Sequence, residues 1–190
     1  MICQKVNLVN FFFWRKILEK CGIIILLGGD TMISGFKCFY SGLVNKYGEK
    51  LELDRKYICS EPVKFRSKGY HICANLEDTL RYYDGVNRKV EICEAIGYPE
   101  HVKYDDEYFG YYDMYACGGL LLKRILTRQE IIEKADSMHS EAFKRFSRDY
   151  RLTAEELDYF KNKYRNNNDV MLHLTYYYED KDIYNKVYRR

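Results

Sequence analysis

Strand-like alternation fills the chain from Gly35 to about Arg124, and helix-like spacing takes over from Thr127. Phe36-Lys37-Cys38-Phe39-Tyr40 is a short aromatic-rich run stopped by Ser41-Gly42. Leu51 to Cys59 alternates weakly and ends at Ser60-Glu61-Pro62, where proline bars a central strand. Gly69 to Cys73 reads as a compact apolar strand after the basic lead-in Lys64 to Lys68. Asn75 then reads as the N-cap of a short helix, Leu76 to Tyr83, with Glu77 and Asp78 in its positively polarised first turn. Lys89 to Ile96 alternates cleanly as a half-buried strand, and a polar Tyr/Asp loop, Pro99 to Asp113, precedes a last strand near Gly119 to Ile125.

Thr127-Arg128-Gln129-Glu130 has capping-box spacing and opens a helix predicted to run to about Phe146. Thr153-Ala154-Glu155-Glu156 repeats the signature and opens a second helix that ends before Asn166-Asn167-Asn168. Val170 to Tyr178 is apolar and aromatic, and a charged tail follows. Strands first and helices after predict an α+β fold, with a core over residues 32–131 and a helical extension over 132–190.

The first 31 residues fit this pattern poorly. Phe11–Trp14 and Ile23–Leu27 are apolar runs interrupted by Arg15, Lys16, Glu19 and Lys20, and neither approaches the roughly 20 residues that cross a bilayer. No small-x-small site follows Leu27 to mark a signal peptide. Gly28-Gly29-Asp30 is encoded by GGN-GGN-GAY shortly before Met32, which resembles a bacterial ribosome-binding site. We therefore expect Met32 to be the start and residues 1–31 to lie outside the fold.

Composition adds little. Hydrophobic residues at 47% and charged residues at 31% are globular values. With 31 basic and 28 acidic residues interleaved, no stripe tracks phosphates, so nucleic acid is not the expected partner. The 20 tyrosines suit sheet surfaces and binding clefts, although codon bias in an AT-rich genome explains them equally well. The 7 cysteines contain no C-x-x-C and form neither a disulfide framework nor a zinc ribbon. They read as small buried hydrophobes in a reducing cytoplasm, with no membrane association. His71 and Cys73 with Cys59 and Cys93 come nearest to a ligand cluster, but the spacing matches no zinc pattern, and no metal is expected.

Chemistry concentrates in Lys68-Gly-Tyr-His-Ile-Cys-Ala-Asn-Leu-Glu-Asp-Thr-Leu-Arg-Tyr-Tyr83. This segment resembles the G-K-G-[IV]-Y-F-A-D … S-x-S-x-x-Y motif of the poly-ADP-ribose polymerase catalytic domain. The resemblance places Gly69 on the second glycine and His71 on the strand tyrosine. Thr79 falls on the serine that holds the nicotinamide amide, and Tyr82 on the tyrosine that stacks the nicotinamide ring. Phe39-Tyr-Ser-Gly-Leu43 is similar to the first-strand motif of ADP-ribosyltransferases, with Ser41-Gly42 in place of His-Gly or Arg-Gly. What this implies is a split fold of two antiparallel-rich sheets holding NAD, with Ser41, Gly42, Gly69, His71, Thr79 and Tyr82 as its contacts.

The matching catalytic glutamate is not evident. Glu130 lies just past the last predicted strand, where its capping-box position also explains it, and Glu91 and Glu94 sit on opposite faces of a strand. A longer stretch, Gly35 to Ile131, resembles phage and bacterial domains of unknown function with a G-F-H-x-C-x-N-x-x-D-x-L-x-Y-Y core. Together these features lead us to expect a small bacterial or phage protein acting as a non-catalytic accessory domain for a protein partner. An NAD-dependent ADP-ribosyltransferase is the alternative, with Glu130 as its catalytic carboxylate, and a nucleic-acid module is the third reading.

Overall fold

Side chains along the first strand, β1 (Ile33–Tyr40), alternate between two cores. Ile33 and Phe39 join a buried cluster with Leu51, Ile72, Cys93, Cys117, Leu120 and Leu122. Cys38 joins a second cluster with Leu76, Leu80, Ile92, Phe143, Phe146 and Phe160. The computed structural model describes residues 32–64, 67–103 and 114–178, with no side chain described over 99–103. In it the first cluster fills a small barrel, and the second is the seam between barrel and helices. The expected leader, residues 1–31, lies outside the described residues, as does the 104–113 part of the expected loop.

The remaining strands are β2 (Lys56–Ile58), β3 (Tyr70–Cys73), β4 (Val90–Lys103) and β5 (Met114–Ile125), and every pairing is antiparallel. β1 pairs with β4, β4 with β5, β5 with β3, and β3 returns to β1, so the sheet closes on itself. β5 makes this closure: one edge runs along β4, while β3 and then β2 share the other. The described strands thus belong to one closed sheet, where the resemblance implied two.

Two glycines permit the tight wall. A Cβ at Gly35 would overlap the Cys73 carbonyl oxygen, and one at Gly97 would overlap the Cys117 sulfur inside the barrel. β4 extends through Pro99, which was expected to begin a loop. A register shift between Tyr98 and His101 accommodates the proline, since a bulge tolerates a residue without an N–H. β2 is much shorter than the alternation over Leu51 to Cys59 predicts, because a turn at Leu53-Asp54, with Asp54 at φ of 55°, interrupts the segment.

The helices are α1 (Leu76–Leu80), α2 (Arg128–Asp136), α3 (Ser140–Asp149), α4 (Ala154–Lys163) and α5 (Asn168–Tyr178). The fold is α+β. Both capping boxes form: Thr127 accepts from the Glu130 N–H and Thr153 from the Glu156 N–H, each reciprocated by the glutamate. The helix expected to reach Phe146 instead breaks at 137–139, where His139 Nδ1 accepts the Ala142 N–H and starts α3. The Asn75 side chain does not cap α1; its amide donates to Asp78 Oδ2. Glu77 and Asp78 occupy the first turn of α1 as expected; both are buried, and Arg145 of α3 pairs with them at 3.2 and 3.6 Å. That clamp docks α1 on the helical layer. Among the described residues no helix is long and apolar enough to cross a membrane.

Candidate functional site

β1 meets β3 at a single pair, Phe36 opposite Cys73. Beyond it the strands part, and a cavity of about 530 Å³ opens in the barrel wall, bounded by β1, β3, α1 and the loop after β1. Gly69, His71, Thr79 and Tyr82 all line it. Ser41, Gly42 and Glu130 do not.

Each position has a local cause. Gly69 enters β3 with φ of 100°, and a Cβ there would sit 2.8 Å from the Cys117 carbonyl oxygen, so both conformation and space call for glycine. Burial, aided by the charges of Lys37 and Lys46, lowers His71 to about 4, so its imidazole is neutral at pH 7. The buried Thr79 hydroxyl donates to the Leu76 carbonyl at 2.8 Å. Tyr82 remains 43% exposed, with its ring at the rim. Ser41 and Gly42 form a turn held by Glu91, whose carboxylate accepts the Gly42 and Leu43 N–H groups at 3.0 Å each. Glu130 is bound to Thr127 and, at 2.6 Å, to Arg124. Its hydrogen bond to the Thr127 backbone, helped by Arg124, lowers it to about 2.

Sequence reasoning missed the charges of the cavity. Lys37, Lys46 and Arg81 line it against one carboxylate, Glu49. Lys37 shares its strand face with the buried Phe39, and that phase was the available signal for an inward-pointing amine. Its ammonium donates to the His71 carbonyl at 2.7 Å, an acceptor left over where β1 and β3 separate. Lys46 is carried by a turn that Asn45 closes, its Oδ1 accepting from the Tyr47 and Glu49 N–H groups. The Lys46 ammonium lies 5.0 Å from the Tyr47 ring centre and 5.2 Å from that of Tyr82. Tyr47, Tyr70, Tyr82 and Tyr83 supply four phenol rings to the lining.

Three buried thiols are chemically quiet. Burial pushes Cys73 and Cys93 up to about 12 and Cys117 to about 11, so all three stay protonated at neutral pH. Among the described residues no three His, Cys, Asp or Glu side chains gather to hold a metal ion. No family model, curated protein or solved structure matches this chain.

Proposed function

We propose that this protein is a non-catalytic accessory domain whose barrel-wall cavity binds a small anionic ligand carrying a planar ring. The observation that carries this reading is the composition of one cavity: three cationic side chains face a single carboxylate, beside four phenol rings. Cations supply the field for an anion, and phenol faces supply stacking surface for a ring. Concave sites of this size with a few convergent polar groups are where small ligands bind. Few groups are set up for turnover. Glu130 caps a helix outside the cavity, the Thr79 hydroxyl is bonded within α1, and the Cys73 thiol stays protonated.

NAD belongs to this ligand class, and the grouping of Gly69, His71, Thr79 and Tyr82 at one cavity favours it as the first ligand to try. A thermal-shift series with NAD, ADP-ribose and pyridoxine 5′-phosphate tests the reading. At 100 times its dissociation constant a native-state ligand adds about 2.7 kcal/mol, which raises Tm measurably. Lys46→Glu should abolish that rise while leaving the unliganded Tm nearly unchanged, because Lys46 makes no ion pair among the described residues. No rise with any of the three at millimolar concentration would end the proposal.

A further inference from the structure

Lys37 is set apart from the other lysines of the described residues by where its amine sits. It lines the cavity from an inward strand position and donates to the His71 carbonyl at 2.7 Å. It makes no ion pair among the described residues. The groups whose negative charge, when deprotonated, would raise its pKa are Cys73, Cys38 and Cys117, and burial keeps all three as neutral thiols at pH 7. Its pKa is lowered, first by desolvation, with the neighbouring Lys46 cation adding to the effect. A lysine desolvated beside a second cation is the arrangement that makes an amine nucleophilic near neutral pH.

From this geometry we propose that Lys37 is a covalent anchor: it forms a Schiff base with a small ring-bearing anion that carries an aldehyde or ketone. This rests on the cavity binding such anions and specifies their reactive group. The Lys37 nitrogen adds to the carbonyl carbon, and the two hydrogens of the neutral amine leave with the carbonyl oxygen as water. A C=N bond replaces C=O, with no change of oxidation state. Lys46 and Arg81 are placed to balance the ligand's negative charge, and the Tyr82 ring to flank its plane. No turnover is required, because the imine forms and hydrolyses reversibly.

The test uses pyridoxal 5′-phosphate, which joins aldehyde, ring and phosphate, beside pyridoxine 5′-phosphate, which differs in carrying an alcohol for the aldehyde. The full chain is mixed with one equivalent of the aldehyde at pH 7, reduced with borohydride and mapped by peptide mass spectrometry. A lowered lysine pKa raises the free-amine fraction at neutral pH, so Lys37 should carry more of the adduct than any other lysine. Lys37→Arg keeps a cation to bond the His71 carbonyl and should lose that adduct, while pyridoxine 5′-phosphate still raises its Tm. Adducts spread evenly over the lysines would overturn the anchor. If pyridoxine 5′-phosphate, NAD or ADP-ribose still stabilises the wild type in that case, the binding cavity survives and the anchor alone falls; if none of them does, both fall.

Discussion

Burial sets the charge states of the two described histidines on which pH dependence turns. Desolvation is the leading cause at both His71 and His173, with Lys37 and Lys46 adding to it at the first and Lys144 and Arg148 at the second; each falls from 6.5 to about 4. Between those values the unfolded chain binds protons that the folded chain refuses. Stability is therefore full above pH 6.5 and falls as pH drops toward 4, by at most about 1.4 kcal/mol per pH unit for each histidine. Urea midpoints taken from pH 7 to 4.5 should decline, and the decline should flatten in the His71→Asn/His173→Asn double variant. An equal slope in the variant would assign the loss to other groups. At this scale Gly69, His71, Thr79 and Tyr82 were legible because they lie within one stretch of chain. Lys37 and Lys46 were not, since what matters about them is where β1 and β3 part, and a local pattern does not encode that.

Elements were legible where their signals are local. Both capping boxes form at Thr127 and Thr153, and four strands appear near the runs that read as strands, though with shifted ends. The break between α2 and α3 was missed because His139 is an uncommon N-cap, and its Nδ1 acts only once the chain turns. β4 ran past Pro99 because its partner β5 carries the ladder across a bulge. Within these strands Gly97 bears the tightest demand on volume, with the Cys117 sulfur and the Ile72 side chain occupying the space a methyl would need. Gly97→Ala should cost about 1–3 kcal/mol by overpacking, read from the urea midpoint. Adding Cys117→Ala should recover part of that loss. If the double variant is as unstable as the two losses summed, the clash is not the cause.

At the scale of the whole molecule, closure of the barrel could not be read from the chain, because it depends on pairing partners far apart in sequence. Phe36 meets Cys73, and Cys93 pairs with both Lys37 and Ile125. The same closure creates the site. One strand pair, permitted by Gly35, seals the wall at Phe36, and the separation beyond it leaves room for a ligand over Lys37 and His71. Arg145 ties α1 to α3 through Glu77 and Asp78, so the helical layer fixes the cavity's outer wall. Amide chemical-shift mapping on adding pyridoxine 5′-phosphate tests the central claim, that this gap is a ligand site, most directly. We predict the largest changes at Lys46, Gly69, His71 and Thr79 to Tyr83, with α4 and α5 unmoved. Changes concentrated on α3 and α5, or scattered across the surface without the β3–α1 segment, would contradict it.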